Sequence, residues 1–432
     1  MTSPIRYALL ALSLCVGLCG GTARADLTVD ITKGVEGATP IAVVPFAQGG
    51  LSGENLGGIV SADLGRSGRF TPLPEGSMTQ KPAPPDQVNF HTWQSLGQDY
   101  LVIGRVTPGA AGQYEAEFYL FDAIKGATLL SERIPFAARE ARHTAHRIAD
   151  MIYRQLTGQA GAFNTRVAYV ASSGSRGSRE YRLLVADTDG RDPQAVISSP
   201  EPIMSPAWSP DGKRIAYVSF ENRTSAIFVQ DLASGGRQKV SEAPGINGAP
   251  AWSPDGRQLA MTLSKGGSPD IYVMDLGSRS LRQVTSDLSI DTEPSWSPDG
   301  RSLVFTSDRG GKPQLYIAAA SGGAAQRLTY DGDYNARGVF SPDGRMLAMV
   351  HGSGGDYRIA VMDLQTHALK VLTKGRFDES PGFAPNGSMI LYTHKDGGVD
   401  RLEAVSLDGK SHQALKVEGG QVRSPAWSPS AP

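Results

Sequence analysis

Few residues in this 432-residue chain have the type and spacing to do chemistry. His143 and His146 stand three apart in a helix-patterned stretch, which could bring two imidazoles onto one face as a metal pair. The apolar positions Ala141, Ala145, Ile148 and Ile152 follow the other face, so the pattern predicts both histidines facing solvent, with no third ligand in sight. Asp331, Asp333 and Asn335 open like a calcium loop. Its sixth position is Ala336 instead of Gly and its twelfth is Pro342 instead of Glu, which excludes an EF-hand. The sequence contains no Gly-x-Ser-x-Gly elbow, no phosphate-binding Gly-x-x-x-x-Gly-Lys-Ser/Thr and no dinucleotide fingerprint between a strand and a helix. Its Ser-Pro-Asp-Gly boxes put Gly directly after Asp, where a sialidase-type Ser-x-Asp-x-Gly box has one residue between them. The expectation is a chain with no catalytic residue, no cofactor and no resident metal.

The N-terminus explains the cysteines. Arg6 precedes an apolar run from Tyr7 to Leu18, and Ala23-Arg24-Ala25 makes an A-x-A cleavage pattern before Asp26. That is the pattern of a secretory signal peptide over residues 1–25, with an apolar run too short to span a bilayer. Cys15 and Cys19, the two cysteines of the chain, lie inside it, each after a Leu where a lipid-attachment motif wants a small residue. The exported protein is therefore expected to have no disulfide, thiolate nucleophile or cysteine metal site. Its net charge stays within a few units of zero, which argues against nucleic acid or anionic lipid as partner.

A repeat dominates the rest. Trp-Ser-Pro-Asp-Gly begins at Trp208, Trp252 and Trp296, returns as Phe-Ser-Pro-Asp-Gly at Phe340 and Phe-Ala-Pro-Asn-Gly at Phe383, and ends as Trp-Ser-Pro-Ser at Trp427. The anchors are 44, 44, 44, 43 and 44 residues apart. A period in the forties with several short strands per unit marks propeller blades. In each unit Pro presets the first corner of a turn and Gly tolerates positive φ at its end. Arg166-Val-Ala-Tyr-Val170 matches the second strand of the repeat without an anchor before it, and Ser424-Pro-Ala-Trp-Ser-Pro429 is a first strand with nothing after it. The two halves predict a six-bladed propeller over 159–432 closed by the C-terminal strand, which would remove a free edge.

Residues 41–158 carry no repeat and read as an α/β domain. Ile41-Ala-Val-Val-Pro-Phe46 is a buried-type strand, and Ser52 is placed to cap a helix through Leu56, Ile59, Val60 and Leu64. Strands are expected at 100–104, 114–122 and 128–134, and a second helix over 138–156 ending at Gly158. Residues 26–40 form an arm in which Leu27, Val29 and Ile31 alternate with polar residues. This arm could pair with an edge of its own domain or with a partner strand.

Propellers present loops around a central channel, so the positions four and three before each anchor should ring its mouth. They are Met204/Ser205, Gly248/Ala249, Thr292/Glu293, Ala336/Arg337, Glu379/Ser380 and Arg423/Ser424. With Ile246, Asn247, Asp291 and Asp378 beside them, they mix both charges with small residues, which suits a protein or peptide partner.

These features together resemble the TolB family of periplasmic components of the Tol–Pal cell-envelope system. The resemblance runs over Ile41 to Phe46, Met204-Ser-Pro-Ala-Trp-Ser-Pro-Asp-Gly212, Asn247-Gly-Ala-Pro250, Tyr272-Val-Met-Asp-Leu276, Thr292-Glu-Pro294 and the terminal Ser-Pro-Ala-Trp-Ser-Pro. It implies a non-catalytic periplasmic adaptor that binds the lipoprotein Pal at the channel mouth and TolA through the N-terminal arm. Colicins can exploit the same face, and the role is outer-membrane integrity and envelope constriction in division. The resemblance places Ala249, Thr292 and Glu293 at Pal-contacting positions. Ile246 stands where a relative has His, so no histidine contact carries over there.

Overall fold

A computed structural model describes residues 37–175, 178–417 and 420–430. The proposed signal peptide and Leu27, Val29 and Ile31 of the arm lie outside these residues.

Before the repeats the chain builds one five-stranded sheet. Its strands are β1 (Thr39–Val43), β2 (Phe70–Pro72), β3 (Tyr100–Pro108), β4 (Gln113–Asp122) and β5 (Ala127–Ala137), in the order β2-β1-β3-β4-β5. β1 pairs in parallel with β2 and β3, and the last three strands form an antiparallel meander. Helices α1 (Leu56–Arg66) and α3 (Ala141–Thr157) pack Leu56, Val60, Leu64, Ile148 and Ile152 onto one face. A short helix, α2 (Phe90–Ser95), covers the other face with Trp93. Asn55, not Ser52, caps α1. Its Oδ1 accepts from the N–H groups of Gly57 at 2.9 Å and Phe46 at 2.8 Å, tying the helix start to the end of β1. α3 ends at Gly158, whose φ of 73° is the left-handed stop.

The repeats form antiparallel sets of strands. The first set is β6 (Arg166–Ser173), β7 (Glu180–Asp187) and β8 (Gln194–Ser199). The next are β9 (Ile203–Trp208), β10 (Arg214–Ser219), β11 (Ala226–Asp231) and β12 (Arg237–Ser241), then β13 (Asn247–Trp252), β14 (Gln258–Leu263), β15 (Asp270–Asp275) and β16 (Leu281–Gln283). β17 (Asp291–Trp296), β18 (Ser302–Ser307), β19 (Gln314–Ala319) and β20 (Gln326–Arg327) follow. The last sets are β21 (Tyr334–Phe340), β22 (Met346–Ser353), β23 (Asp356–Asp363) and β24 (Leu369–Val371), then β25 (Phe377–Phe383), β26 (Met389–Asp396), β27 (Val399–Ser406) and β28 (His412–Leu415). A single bridge between Tyr357 and Phe377 joins these last two sets. The final strand, β29 (Gln421–Trp427), pairs antiparallel with β6, Trp427 opposite Val167.

The repeated turn and aromatic explain the period. Ser209, Ser253, Ser297 and Ser341 each donate a hydroxyl to the Asp two residues on, at 2.5–2.6 Å, and accept from the first N–H of the next strand. That hydroxyl bond holds Asp211, Asp255, Asp299 and Asp343 below the usual carboxylate range. Gly256 sits at φ 70°, a corner that a side chain would strain. The anchor tryptophans then join neighbouring sets. Trp252 Nε1 donates to the Ala207 carbonyl at 3.1 Å, Trp296 Nε1 to Ala251 at 3.1 Å and Trp208 Nε1 to Ala426 at 3.0 Å. Phe340 and Phe383 have no N–H to give and join their neighbours by packing alone.

Candidate functional site

Each of the six inner strands breaks register at the same place. The shifts lie between Met204 and Ala207, Gly248 and Ala251, Thr292 and Ser295, Ala336 and Val339, Glu379 and Gly382, and Arg423 and Ala426. A bulge adds one residue, bends the strand and re-aims a side chain. Here the residue three before the anchor takes positive φ every time: Ser205 49°, Ala249 46°, Glu293 57°, Arg337 54°, Ser380 58° and Ser424 50°. None is glycine, so each carries about 1 kcal/mol or more of backbone strain. Five of the six are followed by Pro, which cannot donate to the ladder and so fits at a bulge. The mouth positions thus belong to bulged strands and not to the connecting loops.

All six left-handed residues line one cavity of about 510 Å³. The residues four before the anchors divide. Met204, Gly248 and Thr292 line it, whereas Ala336, Glu379 and Arg423 do not. Ala336 is buried, Glu379 pairs with Lys395 at 3.0 Å, and Arg423 lies over the Tyr181 ring at 5.6 Å. Ile246 lines the rim and is half exposed.

Asn247, Asp291 and Asp378 each stand five residues before an anchor, and the structure buries all three, with Asn247 also reaching the cavity wall. Asn247 accepts from Ser241 Oγ at 2.7 Å and from the Ala243 N–H at 2.9 Å, and it donates to the Ala243 carbonyl at 2.7 Å. Asp291 accepts from Arg309 Nη2 on both oxygens, at 2.8 and 3.0 Å, and Asp378 Oδ1 meets His394 Nδ1 at 2.6 Å. Asn247 and Asp291 thus hold adjoining loops, whereas Asp378 ties its strand to β26.

Around the ring the chemistry is lopsided. Arg337 Nε donates to Glu293 Oε1 at 2.6 Å and Arg337 Nη1 to Ser380 Oγ at 2.5 Å, while Thr306 Oγ1 donates to Glu293 Oε2 at 3.0 Å. Three neighbouring strand sets are stitched by one arginine. On the opposite arc stand Ser424, Ser205 and Ala249, with Met204 and Ile246 beside them, small or apolar throughout. Sequence reasoning missed Phe220 and Ser225 in the cavity wall and, outside it, the exposed apolar side chains Leu288, Ile290 and Tyr330 in loops and Phe377 at the start of β25. The signal for Leu288, Ile290 and Tyr330 was present: large apolar residues, Leu288 97 % exposed, inside turns otherwise rich in Asp, Ser and Gly.

The helical histidines part company. His143 is exposed, as its pattern predicts, but His146 is buried, contrary to the expected solvent-facing pair. The turn after β7 packs over that face of α3, which helical periodicity alone cannot show. His146 Nδ1 lies 2.7 Å from Asp63 Oδ2, and its Nε2 stands 3.7 Å from Asp187 Oδ2, a charge contact too long for a hydrogen bond. Burial works against the imidazolium, but the charge of Asp63 and contacts from Asp187 outweigh it and push His146 up to about 10. Arg142 bonds Asp189 and Glu54 and lies 3.4 Å from Asp187, and Arg66 bonds Asp63. The calcium-like stretch is spoken for: Asp333 pairs with Lys312 at 2.6 Å, and Asn335 is buried against Gln314 and His351.

Comparison with known proteins covers most of the chain. The family model described as the TolB amino-terminal domain matches residues 27–129, and that of the TolB beta propeller domain matches residues 153–431. A Tol-Pal system protein TolB from Methylococcus capsulatus is 65 % identical over 97 % of this chain and 98 % of its own. One from Thioalkalivibrio sulfidiphilus is 56 % identical over 94 % of each. The crystal structure of TolB from Acinetobacter baumannii superposes with a TM-score of 0.86 at 42 % identity, covering 93 % of this chain and 99 % of that one. Sheet-and-helix N-terminal domain, repeated propeller strands and extended sequence identity agree: the chain belongs to the TolB family.

Proposed function

We propose that this protein is a non-catalytic periplasmic adaptor of the Tol–Pal system, a six-bladed propeller closed by β29 that grips Pal at the channel mouth. The arm, cut back to residues 26–38 because Thr39 and Pro40 already pair within β1 and freed by removal of residues 1–25, would bind TolA, and the pairing of the two events would support outer-membrane integrity and constriction in division. Colicins would compete for the same mouth. One observation carries this reading: six strained bulges from six inner strands converge on a single open cavity of about 510 Å³. Such strain persists where the surrounding structure holds it and clusters at ligand sites. The exposed apolar side chains of Met204, Ile246, Leu288 and Ile290 beside a charged arc give a protein partner both an anchor and a register. Among the described residues no helix is long and apolar enough to cross a membrane.

Pull-down against purified Pal tests this directly. Glu293→Lys and Ala249→Asp are each expected to weaken binding at least tenfold while thermal unfolding shifts little, because Glu293 is only half buried and Asp tolerates the left-handed region better than most residues. Equal loss of fold and binding would remove the contact role, and co-purification of a metabolite without Pal would replace the adaptor with a small-ligand protein. Deletion of residues 26–33 is expected to abolish TolA binding and to alter Pal affinity; an unchanged result for both discards the arm.

A further inference from the structure

The junction between α3 and the turn after β7 holds a group of side chains that the adaptor role does not use. Among the described residues, His146, Asp187 and Asp189 each offer one ligand atom within 4.8 Å of the others. Two observations raise this above an ordinary acidic cluster. His146 is 2 % exposed, and its Nε2 has no hydrogen-bond partner, although it is turned toward the two carboxylates. Its other nitrogen, Nδ1, is fixed at 2.7 Å on Asp63, which is fully buried. A carboxylate behind a histidine, orienting the far ring nitrogen, is the arrangement that supports metal-ligating histidines.

We propose that His146, Asp187 and Asp189 are the protein ligands of a zinc-type divalent-cation site that bridges the N-terminal domain and the first set of propeller strands. One imidazole nitrogen and two carboxylate oxygens suit zinc, with a fourth position left for water. Asp189 is already oriented, since its Oδ1 accepts from the Arg191 N–H at 3.1 Å and leaves Oδ2 for the cation. A tetrahedral ion with bonds of about 2.0–2.1 Å spaces its ligand atoms about 3.3 Å apart, so the triad must draw in by roughly an ångström. The cation takes the place of the proton on His146 Nε2 and of the Arg142 guanidinium. Arg142 now bonds Asp189 and lies near Asp187, but it also bonds Glu54, a half-exposed residue on the N-terminal side. It can therefore yield both aspartates and keep a partner. The site would pin the two parts of the chain together by coordination where an arginine now does so by charge.

Zinc titrated into the full chain after chelator treatment, followed by calorimetry and by the visible spectrum of the cobalt(II) form, tests this. The expected result is one saturable site per chain. His146→Gln and Asp189→Asn should each weaken it at least tenfold, and Arg142→Gln should tighten it several-fold by removing the competing cation. His143→Gln, which alters the exposed neighbour, should leave it unchanged. Circular dichroism establishes that each variant is folded, and Asp187→Asn serves in place of any variant that is not. Absence of saturable binding overturns the site. So does binding that survives in folded His146→Gln or Asp189→Asn, or that is lost in His143→Gln.

Discussion

The channel mouth and the domain junction use the same chemistry, an arginine among carboxylates, in two different surroundings. At the mouth Arg337 bonds Glu293 and Ser380 with its side chain about a third exposed. At the junction Arg142 and Arg66 serve Asp187, Asp189 and Asp63, and Asp63 is entirely buried. Water screens the first network, so breaking it costs little. The second is anchored on Asp63 and His146 in a poorly screened interior, where removing either leaves a charge with nothing to answer it, while Arg142 and Asp187 at its edge stay about a quarter exposed. The difference lies in the screening: the same pairing is cheap to open beside water and costly to open around a fully buried Asp63.

Cutting each network once separates the two surroundings. Asp63→Ala, which strips both His146 and Arg66 of their partner, is expected to cost about 3–5 kcal/mol of unfolding free energy in urea. Arg337→Ala should cost about 1 kcal/mol or less. Equal losses would mean that the mouth is as much a structural joint as the junction.

A pH series sharpens the contrast further. His146 is raised from 6.5 to about 10 in the folded chain. Its contribution is whole below about pH 6.5 and is lost as pH rises through about 10, so stability should decline across that window in chelator-containing buffer. His146→Gln should flatten the decline, and an unchanged slope would assign it to another group. The smallest effect belongs to the mouth. Ala249→Gly relieves the left-handed strain at φ 46° and should shift stability by no more than about 1 kcal/mol, upward, as read by thermal unfolding. A marked loss would show that the Ala249 methyl packs more than it strains.

Much of the architecture was legible because repeats write it many times. Trp208, Trp252 and Trp296 with their Ser-Pro-Asp-Gly turns mark the same corner, and the unmatched strands at Arg166 and Ser424 point to each other, as β6 and β29 pair. The mouth was partly legible. The residue three before each anchor lines the cavity in all six strands, but the residue four before does so in only three, because the bulge turns one side chain inward and leaves the other to local packing. Asn247, Asp291 and Asp378 look like display residues in sequence but are buried, Asn247 alone of them reaching the cavity wall, since burial depends on what the neighbouring strands bring over them.

By itself, then, the amino-acid order determined the strand period, the turns and the apolar faces, which arise from interactions a few residues long. Only the folded chain decided that His146 is buried, since Asp63 and Asp187 reach it from 83 and 41 positions away in sequence. It also decided that Arg337 closes on Glu293 and Ser380, partners 44 and 43 residues distant. The charge state and the bonding of such groups depend on neighbours gathered by long-range packing, and no local pattern encodes those neighbours.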